Sequence, residues 1–383
     1  MFVRFALRIA GLAGAFVSLA WGAGPLPDVA AFRGDARGGF AQVLEPRVFE
    51  FPRDHGAHPE YRQEWWYVTG NLDSATGERF GFELTFFRFA LAPEGAPRAG
   101  SVVPTAAGSS WRTGQIYMAH FAITDVARQR FRFAQKLSRG ALGLAGAQNP
   151  PLHVWIDDWS LGTVDPEATH WHMRAAQSGF ELTLDAQALQ QPVLNGKQGL
   201  SQKSSDPGSA SYYYSIPRVS VRGRLVRDGE AAQVQGLAWV DREWGSGSLG
   251  RNEQGWDWFA LQLQDGSSMM FYALRNHDGG RDPHSAGTWI GAAGESRPLT
   301  SNQVQIDVLD YWKNPRGDRY PAHWRVRVPT QGIDVDVRPV LPDQELKTSA
   351  RYWEGAVDVT GASSAGQKTA GRGYVELVGY AAQ

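Results

Sequence analysis

Gly236 to Gly247 reads GLAWVDREWGSG, and Gly255 to Phe259 answers it with GWDWF. The flanking pattern is extended, so side chains leave the chain on alternate faces with a period of two. Trp239, Asp241 and Glu243 share one face, while Val240, Arg242 and Trp244 share the other. Two carboxylates two residues apart on a strand stand roughly 7 Å apart at their Cα atoms. In Trp-lined, half-buried surroundings their repulsion and lost hydration raise the pKa of at least one. That is how a carboxyl group stays protonated to act as a general acid. The competing reading pairs Asp241 and Glu243 with arginines such as Arg242 or Arg251 and leaves them as braces of the sheet.

The rest of the chain fits a strand-built protein. Its 383 residues suffice for two domains or one large all-β domain. With 15 Trp, 12 Tyr and 18 Phe punctuated by 44 Gly and 21 Pro, short strands and turns fit better than long helices. A formal net charge of −1 gives no electrostatic case for nucleic acid or an anionic membrane. The absence of cysteine excludes a disulfide, a thiolate zinc site, a cysteine nucleophile and a lipid-modified N-terminal cysteine.

The N-terminus has the layout of a secretory signal. Arg4 and Arg8 precede an apolar run from Ile9 to Leu19, and Ala20-Trp21-Gly22 offers small residues for cleavage after Gly22. The apolar run is short for a membrane span. Residues 1–22 are therefore expected to be a signal peptide and residues 23–45 an arm or linker. Export implies a periplasmic or secreted protein with no stable membrane span once the signal is removed.

Strand signals follow at intervals of roughly ten residues, as in an up-and-down barrel or sandwich. Glu64–Leu72 and Phe80–Phe87 form a hairpin about the turn DSATG, and Gln115–Asp125 is a third strand. Val154–Trp159, His170–Met173 and Gly179–Leu184 continue the run; Asp185–Gln190 is the one stretch with room for a helical turn. Val219–Val226 and Gln233–Asp241 pair about Asp228-Gly229-Glu230, and short strands continue to Gly373–Tyr380. The fold class is all-β, with domains expected at 46–225 and 226–383.

Other chemistries carry little signal. His170 and His172 share a strand face, but no third ligand stands at a recurring spacing and no HExxH occurs, so two surface imidazoles are the favoured reading. There is no GxSxG; Ser246 and Ser248 lie in a Gly-rich turn without the strand-to-helix context of a phosphate loop. No metal or cofactor is expected. His120 is a single imidazole with Met118 and Ala122 on its face, either a wall histidine or a general acid/base. Glu64 shares its face with Trp66 and Val68, opposite Trp65 and Tyr67; it either serves the site or pairs with Arg62 or Arg53. Asp257 falls on the apolar face with Phe259 and Leu261, where it needs a partner. Glu354 beside Tyr352, and Glu376 beside Tyr374, are placed to accept hydrogen bonds in the wall.

Set side by side, EWWYVTGNL, MAHFAITD, YYYSIPRV, GLAWVDREWGSG, GWDWFALQLQDG, YWEGAVDVTG and GYVELVGY resemble, in order, the carotenoid 1,2-hydratase and AttH-like family. The resemblance runs from about Glu64 to Tyr380. It implies two consecutive lipocalin-like antiparallel β-barrels with an apolar cavity near their junction. It also implies a hydrophobic, isoprenoid- or lipid-like small molecule as substrate or ligand. Family members include hydratases of terminal isoprenoid double bonds, fungal pericyclases and exported proteins described as hydrolases. Acid chemistry of that kind assigns Asp241 as proton donor, Glu243 as its proton-sharing partner and His120 as a positioning group. Glu64, Trp65, Tyr213, Trp239, Trp244, Asp257, Tyr352 and Glu354 are the expected substrate-binding residues. The motif departs from many relatives in carrying Arg242 where they have His, and a cation beside Asp241 favours its ionised form. A non-catalytic carrier of a hydrophobic ligand, with the carboxylates as braces, is the alternative.

Overall fold

The computed structural model describes residues 38–93, 113–247, 249–250, 252–363 and 367–381. The expected signal peptide, Ser248 and Arg251 lie outside them. Among the described residues, twenty-three strands in two antiparallel sheets make up nearly all the regular structure. In chain order they are β1 (Gln63–Ser74), β2 (Arg79–Ala90), β3 (Gln115–Asp125), β4 (Arg130–Arg139), β5 (Ala145–Gln148), β6 (His153–Ile156), β7 (Trp159–Thr163), β8 (His170–Gln177), β9 (Phe180–Ala188), β10 (Val193–Leu194), β11 (Leu200–Gln202), β12 (Ala210–Arg227) and β13 (Glu230–Gly247). There follow β14 (Glu253–Leu263), β15 (Ser268–Asn276), β16 (Ala286–Ile290), β17 (Ser296–Thr300), β18 (Gln305–Lys313), β19 (Arg319–Val328), β20 (Ile333–Pro339), β21 (Glu345–Lys347), β22 (Arg351–Ser363) and β23 (Lys368–Val378).

The first sheet runs β4-β3-β2-β1-β13-β12-β9-β8-β7-β6-β5, with β10 and β11 also on β12; the second runs β17-β16-β15-β14-β23-β22-β20-β19-β18, with β21 on β22. Each curls around its own core, as the all-β, two-barrel expectation requires. The even residues Trp66, Val68, Phe82, Leu84, Phe86, Val240 and Trp244 fill the first core, and Phe259, Leu261, Trp324, Val357 and Val375 lie in the second. A third cluster, including Tyr67, Tyr213, Trp239, Trp258, Tyr352 and Tyr374, draws on both sheets and joins them. The odd residues Tyr67, Thr69, Glu83, Thr85, Trp239, Asp241 and Glu243 are thus buried on the side where an isolated barrel would meet water.

Several local expectations need revision. The β12–β13 hairpin lies whole in the first sheet, and the sheet changes after Gly247. Tyr212–Arg218 and Val219–Val226 are one strand, whose register shifts between Ile216 and Val219. Pro217 sits in that irregularity, where the missing N–H breaks no ladder bond. Asp185–Gln190 makes no helical turn, because β9 continues to Ala188 opposite β12. Val154–Trp159 is split between β6 and β7 by a turn in which Asp157 takes φ 53°. The described end of the expected arm docks on the first barrel: Val43 enters its core, and Ala41 donates its N–H to the Glu60 carbonyl at 3.0 Å.

Candidate functional site

A cavity lies between the two sheets. The first sheet lines it with Trp65 and Tyr67 of β1, Glu83, Thr85 and Phe87 of β2, Tyr213 of β12, and Asp241 and Glu243 of β13. The second supplies Trp256, Trp258, Tyr272, Leu274, Tyr352 and Glu376, and Lys203 and Leu249 reach in from loops. The period of two does this positioning: residues 65 and 67, 83, 85 and 87, and 241 and 243 all leave one face of three adjacent strands.

Asp241 is held by three donors. Tyr213 Oη reaches its Oδ2 at 2.5 Å, and Ser215 Oγ and Trp239 Nε1 reach Oδ1 at 2.5 and 2.7 Å. Burial pushes its carboxyl up to about 7 against those hydrogen bonds, with the Glu243 charge adding to the rise. Glu243 has partners of its own. Its Oε1 takes Lys203 Nζ at 3.1 Å and the Ser211 hydroxyl, so a cation meets its charge. Burial pulls the Lys203 ammonium down, and the Glu243 charge and hydrogen bond, with Tyr272 and Asp241, together outweigh that and leave it raised. Lys203 is the only cation among the described residues that line the cavity.

The opposite end of the wall holds a second acidic group. Glu83 Oε1 accepts from Tyr352 Oη and Thr85 Oγ1, each at 3.0 Å, while Oε2 is buried without a partner. Glu354 accepts from Tyr67 Oη at 2.6 Å, and Glu376 accepts from Trp256 Nε1 at 3.2 Å. Among the described residues, no arginine or lysine pairs with these three. Burial therefore raises Glu83 to about 7 and Glu376 to about 8, and burial with the Glu83 and Glu376 charges raises Glu354 further. His120 stands behind this wall with Nδ1 2.6 Å from Tyr352 Oη, and burial drives its pKa down to about 3, so the imidazole is neutral.

Of the residues expected from sequence, Trp65, Tyr213, Asp241, Glu243 and Tyr352 line the cavity; Trp239 touches Asp241, and His120 and Glu354 back the wall. Glu64, Trp244 and Asp257 do not reach it. Glu64 and Trp244 face the first core, where Trp244 stacks on His58 with ring centroids 3.8 Å apart. Glu64 binds the guanidinium groups of Arg88 and Arg242, the latter at 3.0 Å, and both His58 and its backbone N–H. Burial alone would raise its carboxyl; Arg88, then His58 and Arg242, hold it well below the usual range. Asp257 faces the second barrel and takes Arg275 Nε at 2.9 Å and Tyr380 Oη at 2.9 Å. Each is a structural pairing made for a buried charge.

The motif's Arg242 is equally occupied. Fully buried on the core side, it donates to the carbonyls of His55, Gly56 and Trp65 and covers the Trp66 ring at 4.1 Å. Its pairing with Glu64 and the intervening strand explain why Asp241 titrates high despite a neighbouring cation. His170 and His172 each meet their own carboxylate, Asp165 at 3.6 Å and Asp185 at 2.9 Å. Sequence reading missed Tyr67, Glu83, Lys203, Ser215, Trp256, Trp258 and Tyr272. Glu83 left a signal: in GFELTFF it is an acid alternating with Gly81 and Thr85 opposite Phe80, Phe82, Leu84 and Phe86.

Fold and site together define a two-barrel, lipocalin-like protein with an acid-lined cavity between its barrels. Comparison with known proteins names the family: residues 42–380 match the AttH-like family model, and the chain belongs to that family. The crystal structure of an AttH protein from Nitrosomonas europaea is 36% identical, with a TM-score of 0.77 over 89% of this chain and 100% of that one. Kievitone hydratase from Nectria haematococca shares the fold at 14% identity, with a TM-score of 0.66 over 91% of this chain and 97% of that one. The dehydratase asqC of Emericella nidulans is 22% identical over 273 residues, 67% of this chain and 75% of the relative.

Proposed function

We propose that this protein is an acid/base lyase that adds water to, or removes it from, an apolar small molecule held between the barrels. The observation that carries this reading is the charge balance of the cavity. Asp241, Glu83 and Glu376 line an aromatic pocket whose single described cation is already committed to Glu243. Carboxyl groups so placed share protons near neutral pH, which suits them to give and take a proton in one catalytic cycle. In hydration a carboxyl gives its proton to one alkene carbon and water adds to the other while a second carboxyl takes a water proton. Dehydration is the reverse. Trp65, Trp256 and Trp258 supply ring faces against an apolar substrate and against cationic charge developing on it. The hydratase and dehydratase among the relatives support the same reaction class. The secretory pattern of residues 1–22 adds the proposal that the substrate is met outside the cytoplasm.

The test is a panel of terminal isoprenoid alkenes and tertiary allylic alcohols, linalool first, incubated in ¹⁸O-labelled water and read by gas chromatography–mass spectrometry. Label uptake or loss of water that disappears in Asp241→Asn is the expected result. An apolar compound that co-purifies and binds tightly, with no exchange of water in the parent protein, would instead make the cavity that of a carrier.

A further inference from the structure

The hydrogen bonds around the two ends of the cavity wall run in fixed directions, and the directions differ in consequence. At Asp241, Trp239 Nε1 can only donate. Trp258 Nε1 donates to Tyr213 Oη at 3.0 Å, which turns the Tyr213 proton toward Asp241. Asn195 Nδ2 donates to Ser215 Oγ at 2.9 Å and turns that proton the same way. Thr288 Oγ1, donating to Asn195 Oδ1 at 2.8 Å, fixes the amide. Both oxygens of Asp241 are thereby committed as acceptors, the arrangement of a carboxylate.

At Glu83 the donors are aimed at one oxygen only. The Ser349 N–H donates to Gln135 Oε1 at 3.2 Å, so the Gln135 amide presents its Nε2 to His120 Nε2 at 2.9 Å. The neutral imidazole then carries its proton on Nδ1, which donates to Tyr352 Oη, and Tyr352 donates to Glu83 Oε1. Thr85 adds a second donor to the same atom. Oε2, buried and without a protein partner, is the atom left for a proton.

From this geometry we infer that the site is polarised for elimination, with Glu83 as general acid to the departing hydroxyl of an apolar alcohol and Asp241 as base to a hydrogen on the adjacent carbon. The inference rests on the lyase reading and fixes its direction and its second catalytic residue. The protonated Glu83 carboxyl gives its proton to the hydroxyl oxygen, the C–O bond breaks and water leaves. Asp241 takes the neighbouring carbon-bound proton, whose electron pair becomes the double bond. A proton returned from Asp241 to Glu83 through solvent restores the pair. The register gives the scale: Glu83 lies opposite Thr69, Thr69 opposite Trp239, and Asp241 is two residues farther along β13. Two strand spacings across and two residues along place the Cα atoms roughly 12 Å apart, which leaves room for a substrate between the carboxyls. His120 and Gln135 are positioning residues, acting through Tyr352.

Infrared spectroscopy of the ligand-free protein at pH 7 separates this from the lyase reading, because it needs no turnover. The groups facing Glu83 are Glu354, Glu376, Tyr67, Tyr352, Tyr374 and His120, so the parent should show several protonated-carboxyl C=O bands. Glu83→Gln should remove one of them and Asp241→Asn none. A band set unchanged in Glu83→Gln, or a component lost in Asp241→Asn, overturns the proposal. If Glu83→Gln fails to fold, Tyr352→Phe strips a donor from Oε1 and must move one band to higher wavenumber; unmoved bands overturn it equally. On any alcohol the panel dehydrates, Glu83→Gln should lower kcat by about 100-fold or more with KM little changed. Equal turnover would remove Glu83 from the chemistry even where the lyase reading stands.

Discussion

Arg242 and Asp241 are adjacent in the chain and opposite in fate. The strand sends Asp241 into the cavity and Arg242 into the first core, where Arg242 and Arg88 jointly neutralise Glu64. Removing one member of a buried ionic group leaves an uncompensated charge, which costs far more than the pair contributes net. Arg242→Met is therefore expected to lower stability by about 3 kcal/mol, read as a shift of the urea midpoint at unchanged slope. It should leave the carboxyl bands of the cavity in place. Asp241→Asn sits among three donors, so its new N–H₂ faces groups that have no acceptor to offer. That variant should lose about 1–3 kcal/mol and any turnover together. The sequence disclosed which of these residues share a face. It did not disclose that the Arg242 face is the inside of a barrel.

Strand pairing decides where those faces meet. β1 lies between β2 and β13, so Tyr67 stands opposite both Thr85 and Asp241. The barrels pack tightly at Gly81 of β2: a Cβ there would lie 2.6 Å from Ala356 Cβ and 3.0 Å from Tyr374 Oη. Gly81→Val should therefore destabilise by about 2 kcal/mol through overpacking. Ala356→Gly should restore part of the loss in the double variant, and additive losses would show that the contact does not carry the effect. The hairpins were legible because turns such as DSATG and DGE separate alternating strands. Asp228-Gly229 is a hairpin turn inside the first sheet, and a turn within a sheet looks locally like a turn between sheets.

Across the whole molecule, the buried acids make stability depend on pH in a definite direction. Glu83, raised to about 7, and Glu376, raised to about 8, hold protons that the unfolded chain releases near pH 4. The folded state then binds more protons, so stability falls as pH rises. The buried His55 and His120, lowered to about 4 and about 3, act the opposite way below their ordinary value of 6.5. Between about pH 6.5 and 8 those histidines are neutral in both states and the acids act alone. Unfolding free energy should drop by a few kcal/mol across that window, measured by denaturant titration at several pH values. Glu354→Gln, which mimics the protonated side chain, should flatten the decline. A flat profile in the parent would mean that the acid cluster is ionised. Below pH 4 the sign reverses, because Glu64, held low by Arg88 and Arg242, must take up a proton.

Sequence alone determined that the chain is all-β, which strands pair as hairpins, which residues share a face, and that Asp241 stands in an aromatic setting. Those properties are local, since a period of two and turn chemistry act over a few residues. Tertiary structure decided what each face meets. Packing one curled sheet on the other buried Glu83, Glu354 and Glu376 together with no cation paired to them among the described residues, gave Lys203 to Glu243, and turned Glu64, Trp244 and Asp257 away from the cavity. The partners that fix a carboxyl's charge lie scores of residues apart in the chain, as Tyr67 and Glu354 do, and no local pattern encodes them.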